Sequence, residues 1–322
     1  MPQPDLRASI VAGPLQNFSV MAFQNNLVGE KIFPIVNVDS EKATIGKILK
    51  GAWFRNDAKV RAEGTRAVRG GYPITTVSIN AIEYARAVEV TEETRKRAKQ
   101  SNVPPLRPDQ MALRFAATKI DLNKELLIAT DVKSWADSED VEGGWAYNAG
   151  TNTFEYDILY RMDYMEATTG FRPNCLMLSS NTWFHTQQIS GIRDNIRYTE
   201  GGKITEKTIM SLFDLKEVII GGSIQNTAKE TAAGAEFTAS RIWETNAGKG
   251  GAFLYYRHPE IGLDVPTVGI QARVKFDNGQ VRRILKWTEP AEHQDVYEVS
   301  ENTDIVPTAT DLGYWFYDTI ST

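Results

Sequence analysis

Several groups of residues in this 322-residue chain have the types that catalysis or ligand binding uses, so their spacing decides what they do. His185, His258 and His293 have no second His or Cys at a zinc-ligand interval, and no HExxH occurs. Cys175 sits in the apolar run Cys175-Leu176-Met177-Leu178 with no base nearby in sequence, and no GxSxG elbow exists. It reads as a small core residue. Gly201-Gly202-Lys203 and Gly248-Lys249-Gly250-Gly251 do not complete GxxxxGK[ST] and read as turns. Asp137, Glu139, Asp140 and Glu142 would attract a hard cation, but the twelve-residue calcium-loop pattern is missing, which leaves a solvated acidic loop. Asn17-Phe18-Ser19 is a sequon without a secretory signal before it. The expectation is a protein with no catalytic residues, no cofactor and no metal: not an enzyme.

One stretch remains. Between Lys42 and Arg69 there are eight Lys/Arg against two Asp/Glu, and Trp53-Phe54 lie inside with few apolar neighbours. Strand-like segments flank this polar middle, so the stretch reads as a hairpin with no core of its own. Such an excursion is disordered, functional, or ordered by another molecule. Basic residues around two aromatics would suit a stacking platform for nucleic acid. Arginines on a hairpin also pair with a neighbour's carboxylates. The interface reading is favoured over the nucleic-acid one.

The whole-chain balance agrees. A net charge of -5 argues against a dedicated nucleic-acid binder, which needs a basic face to neutralise phosphates. With 42% hydrophobic residues the chain can bury a substantial core of one or two domains. A lone cysteine forms no intrachain disulfide, the N-terminus lacks a signal-peptide pattern, and no run approaches a membrane span. A soluble protein from a reducing compartment is expected.

The elements around the basic stretch follow from periodicity. Residues 1–32 read as a tail with a short helix near 18–27. Residues 84–90 alternate as a half-buried strand. A helix from about Asp109 to Lys133 would be a spine, with apolar stripes Phe115/Leu122/Leu126/Ala129 and Leu113/Ala117/Ile120/Leu127. A polar loop (134–152) leads to a helix over 154–169 capped by Gly170, a strand at 175–178, a Ser180-capped helix, a Thr205-capped helix and a strand at 217–220. Around Asp277-Asn278-Gly279 the alternations of Ala272/Val274/Phe276 and Val281/Leu285/Trp287 predict a hairpin, which Val296–Val299 and Tyr314–Tyr317 extend. The class is α+β.

With these elements in order, the chain resembles the major capsid proteins of tailed bacteriophages, the Hong Kong 97-type fold. The resemblance is carried by Phe33-Pro34-Ile35-Val36, Gly51-Ala52-Trp53-Phe54-Arg55 and Arg66-Ala67-Val68-Arg69-Gly70-Gly71-Tyr72. It continues through Thr169-Gly170-Phe171-Arg172-Pro173-Asn174 with Leu176-Met177-Leu178 and Trp183, then Asp194-x-Ile196-x-Tyr198-Thr199, Leu212-Phe213-x-Leu215, Asn226-Thr227-Ala228 and Asp311-Leu312-Gly313-Tyr314. It implies an N-terminal arm (1–35), an extended loop (36–82), a peripheral domain (83–153 and 266–322) holding the spine helix, and an axial domain (154–265).

The resemblance further implies copies of the chain assembling as hexamers and pentamers into an icosahedral head shell around viral double-stranded DNA. The location would be the virion, after assembly in the host cytoplasm. The short segment before the loop is similar to members that use a separate scaffolding protein. Portal and decoration proteins would be further partners, contact with packaged DNA would be loose and non-specific, and no membrane is involved. Lys42, Lys47, Lys50 and Lys59 match cross-linking lysines by location alone, and no cross-link is expected. Two rivals stand beside this reading: an encapsulin-type compartment with the same fold, and a soluble enzyme using the 134–152 loop.

Overall fold

The computed structural model describes residues 24, 26–48, 50–67, 69–71, 73–100, 107–149, 151–196, 203–229, 237–260, 262, 265–276 and 279–320. The helix expected near 18–27 falls almost wholly outside them. Helices are α1 (Gly29–Ile32), α2 (Lys50–Trp53), α3 (Glu92–Gln100), α4 (Pro108–Trp135), α5 (Phe154–Thr169), α6 (Ser180–Thr186), α7 (Ser190–Ile196) and α8 (Glu206–Phe213). Strands are β1 (Ile35–Val38), β2 (Lys42–Ile48), β3 (Ile74–Asn80), β4 (Ile82–Thr91), β5 (Asp137–Asp140), β6 (Cys175–Ser179) and β7 (Glu217–Gly221). They continue with β8 (Ile224–Asn226), β9 (Ala239–Arg241), β10 (Gly251–Tyr255), β11 (Gly269–Val274), β12 (Arg282–Glu289), β13 (Gln294–Pro307) and β14 (Gly313–Tyr317).

The first sheet is organised by β13. One edge of β13 pairs antiparallel with β4; the other pairs with β12 over 294–301 and with β11 over 302–307, while β1 adds outside β11. β4 alternates as expected: Tyr84, Val88 and Val90 point inward, Glu83 and Glu89 outward. The predicted hairpin between 272–276 and 281–287 is not formed. β11 and β12 run in the same direction along β13, and between them Phe276 N–H donates to the Gln280 carbonyl at 3.0 Å. The alternation that marks a strand does not name its partner, and the 14-residue β13 offers room for both.

The second sheet has the order β5-β14-β10-β6-β7. Its strands alternate cleanly. Leu176, Leu178, Ala252, Leu254, Tyr314 and Phe316 meet α5 and α8 through Phe154, Ile158, Met162, Ile209 and Phe213. Cys175, Met177, Phe253, Tyr255 and Trp315 face Val28, Ile32, Phe33, Ile128 and Val132 on the other side. Two expectations change here. The polar loop at 134–152 contains β5, an edge strand parallel to β14, and the fully buried Trp145 and Ala146. Acidic residues are tolerated on β5 because its outer edge faces solvent and Glu139 pairs with Arg161 at 2.6 Å. β14 belongs to this sheet and does not extend 271–299, so strands from both sides of 154–265 complete it.

α5 ends as expected at Gly170, whose φ of 77° is left-handed backbone that glycine adopts without strain. α8 is capped by Thr205, and the cap of α6 is Ser179, one residue before the expected Ser180. α4, at about 1.5 Å per residue, is about 42 Å long. Its first half packs Ala112, Ala116 and Ile120 on the first sheet, against Val90, Tyr297 and Val299. Its second half packs Ile128, Ala129 and Val132 on the second. The buried line is therefore 112-116-120-124-128-132, which differs from both predicted stripes, and Phe115 is exposed. The line passes through Lys124 and the adjacent Glu125, which are core-facing because each finds buried partners.

Candidate subunit-contact surface

The extended hairpin is anchored at its base and exposed from Phe54 onward. β2 pairs antiparallel with β3, Ala43 opposite Ile79 and Ile45 opposite Val77. These four pack on Val38, Ala81, Ile270, Ala272, Val274 and Val306. Asn80 N–H donates to Asp304 at 2.7 Å and Asn302 to Glu41 at 2.9 Å, fixing where the hairpin leaves the body. Further out, Lys50 reaches Asp311 at 2.9 Å, and the Phe54 ring lies against Gly170, where an added Cβ would come within 3.2 Å of it.

Each described residue from Phe54 to Thr76 is exposed. Phe54 is 62% exposed, a large apolar side chain largely without cover. Arg55, Arg66 and Arg69 share this loop and make no ion pair with any described residue, and no recorded contact joins them to Phe54. Trp53 lies in α2, its side chain outside the described residues, as is all of Tyr72.

The residues weighed for chemistry are dispersed. His185 accepts from Tyr147 N–H at 3.4 Å and His258 from Glu260 N–H at 3.1 Å, while His293 closes a turn with φ of 49°. Burial pushes the Cys175 thiol up to about 11, away from thiolate reactivity. Gly248 and Gly250 are turn residues with positive φ, and Gly201-Gly202 lie outside the described residues. Among the described residues, no group of three or more His, Cys, Asp or Glu is placed to hold a metal ion, and no helix is long and apolar enough to cross a membrane.

What sequence reasoning missed is the charged joint under the hairpin. Glu125, 2% exposed, accepts from Val28 N–H and Gly29 N–H (3.0 and 2.6 Å), Ser223 Oγ (2.9 Å) and Trp243 Nε1 (2.6 Å). Beside it, Lys124 bridges Glu30 (2.9 Å) and Glu301 (2.7 Å), and Arg273 and Arg282 also pair with Glu301. One node thus ties together the segment around α1, the spine helix, the first sheet and the residues that follow β7 and β9. A usable signal existed: the four-residue series 112-116-120-124-128-132 is apolar except at Lys124.

Asp131 lies further along the same helix. Burial, with Asp304 adding repulsion, raises Asp131 to about 6. The folded state therefore holds this proton more tightly than the unfolded chain does. Its stability gains as pH falls from above 6 towards 4, and at pH 8 the full penalty is present. Asp131→Asn is expected to stabilise by about 1 kcal/mol at pH 8, after allowing for its partial exposure, and by nothing at pH 4, read from denaturation midpoints.

Two five-stranded sheets are bridged by one spine helix, and a hairpin with an exposed tip reaches from the body. No family model matches the chain, and no curated protein sequence matches it. Solved structures do. A phage-related protein from Bordetella bronchiseptica RB50 superposes with a TM-score of 0.68 at 17% identity, covering 96% of this chain and 97% of that one. The capsid of cyanophage P-SCSP1u matches with a TM-score of 0.59 at 9% identity, over 92% and 89%. The holo-SrpI encapsulin complex from Synechococcus elongatus PCC 7942 matches with a TM-score of 0.52 at 10% identity, over 93% and 89%. The chain has the Hong Kong 97-type capsid fold.

Proposed function

We propose that the chain is the major capsid protein of a tailed bacteriophage, many copies of which tile, as hexamers and pentamers, an icosahedral head shell around double-stranded DNA. The observation that carries this is the exposure of every described residue from Phe54 to Thr76 on a subunit with a capsid fold. A hairpin tip with nothing to bury against is completed by a neighbour. Trp53, Phe54 and Tyr72 would be its anchors and Arg55, Arg66 and Arg69 its charge partners. Burying Phe54 contributes roughly 2 kcal/mol per contact, a modest gain that recurs at every subunit of a shell.

On this reading 1–35 is the arm, 36–82 the extended loop, 83–153 with 266–322 the peripheral domain and 154–265 the axial domain, with β5 and β14 lent to the axial sheet. The protein is not an enzyme. It is assembled in the host cytoplasm with separate scaffolding, portal and decoration proteins, and resides in the virion. The net charge of -5 suits loose contact with packaged DNA, because tight binding would oppose filling of the shell.

Deleting 55–71 is expected to leave a folded subunit with unchanged far-UV circular dichroism and to abolish shells in negative-stain micrographs. Normal particles from the deletion would sink the proposal. The encapsulin match favours a second reading, a compartment for protein cargo. Nuclease-protected DNA inside purified particles supports the phage reading; protected protein cargo without DNA supports the other.

A further inference from the structure

We propose that the outer face of α5 is the seat for the 55–71 loop of a second copy of the chain, an assignment that rests on the shell reading above. α5 buries Phe154, Ile158, Met162 and Met165 and turns its opposite side to solvent. That side carries Tyr156, Leu159, Tyr160 and Tyr164, which are 68, 46, 50 and 44% exposed. At three-to-four spacing they form one stripe, whereas isolated soluble proteins scatter such groups singly. Tyr156 and Tyr160 already stack, ring centroids 5.9 Å apart, so the surface is ordered before anything covers it. Tyrosines of this kind lose little rotamer freedom on burial and dominate many interfaces.

Charge selects the occupant. Asp163 lies within the stripe and Glu155 beside it, and neither pairs with a described residue. The covering group must therefore be cationic and able to lie on aromatic faces. Arg161 shows that chemistry at the stripe's flank, its guanidinium 5.2 Å from the Tyr160 ring and 5.8 Å from that of Tyr164. Residues 55–71 bring five Lys/Arg against two Asp/Glu. Out and back, these 17 residues reach about 27 Å, and α5 is about 24 Å long. Within one subunit the loop and the stripe are both exposed, so the loop does not cover its own helix. Its root lies against Gly170, at the end of α5, and a loop passing from there onto the next copy's stripe makes a heterologous contact, the kind that closes rings.

The lone native cysteine is buried, so introduced thiols report cleanly. Two differently tagged chains, one with Ala62→Cys and one with Asp163→Cys, are co-assembled, oxidised with copper phenanthroline and run on a non-reducing gel. With the Asp163→Cys chain in several-fold excess, a heterodimer band taking up most of the Ala62→Cys chain is the expected result, with Ala167→Cys used in place of Asp163→Cys if that chain is left out of shells. A band instead with Ala87→Cys on the first sheet, cross-linking only within one chain carrying both substitutions, or no band at either α5 position overturns the assignment. Micrographs of the same samples separate this from the shell reading: shells without the α5 cross-link refute the seat alone, and no shells from the unmodified chain refute the reading it rests on.

Discussion

Replacing Glu125 with alanine is expected to lower the unfolding free energy of the subunit by about 4 kcal/mol, because it strands several buried donors at once. Val28 N–H, Gly29 N–H, Ser223 Oγ and Trp243 Nε1 all converge on this carboxylate. Each donor left unpaired costs about 1–3 kcal/mol, partly offset by relief of the carboxylate's own desolvation. Glu125→Gln keeps one acceptor oxygen but turns an amide NH2 towards donors, so it should cost about half as much. Urea denaturation of dissociated subunits gives the magnitudes, and amide exchange locates the damage, with loss of protection expected first at Val28 and Gly29. Little room exists for relaxation: a Cβ added at Gly29 would sit 2.8 Å from Glu125 Oε2. A Glu125→Ala subunit within 1 kcal/mol of the parent would mean that water replaces the carboxylate, and the joint would lose its role as an anchor.

The second large effect is expected at Glu301, which is fully buried and paired with Lys124, Arg273 and Arg282. Glu301→Leu leaves Lys124, only 3% exposed, with Glu30 as its one carboxylate partner among the described residues, and should cost about 3–5 kcal/mol. Converting both partners, Lys124→Met with Glu301→Leu, should recover much of that loss, since apolar residues can fill the site without an uncompensated charge. The pH dependence carries a defined sign. Burial pushes the Glu301 carboxyl up, but Lys124, Arg282 and Arg273 outweigh it and hold it below its ordinary 4.5. The stabilisation is therefore complete above about pH 4.5 and is lost as pH falls through the depressed value. Acid titration of the parent and the double variant tests this: the double variant should show a flatter acid limb, and identical limbs would assign acid unfolding to other groups.

These two residues mark the limit of what could be read along the chain. α5 with its Gly170 cap, the Thr205-capped helix, the alternating β4 and the paired arms of the hairpin were all legible, because each is set by local periodicity or by a cap within one turn. Partner choice was not. Val281, Leu285 and Trp287 alternate like a hairpin partner of β11, yet both strands dock in line on β13, and nothing within either segment records that. The same gap hid β5, whose Asp-Ser-Glu-Asp sequence is polar because only β14 pairs with it. Glu125 and Lys124 were passed over because a charged pair in mid-helix normally faces water, and only distant residues, Val28, Ser223, Trp243 and Glu301, make burial favourable.

For function the division is similar. Composition and motif spacing argued against metal, nucleophile and phosphate-loop chemistry, and the charge run from Lys42 to Arg69 marked a segment with no core of its own. Those are properties of residue type and local order. That the loop tip stays uncovered when the rest of the chain has packed, that its root rests on Gly170, and that the α5 tyrosines remain open to solvent are decided in three dimensions. Exposure is what remains once the described residues have packed against one another, and only the tertiary structure decides that packing.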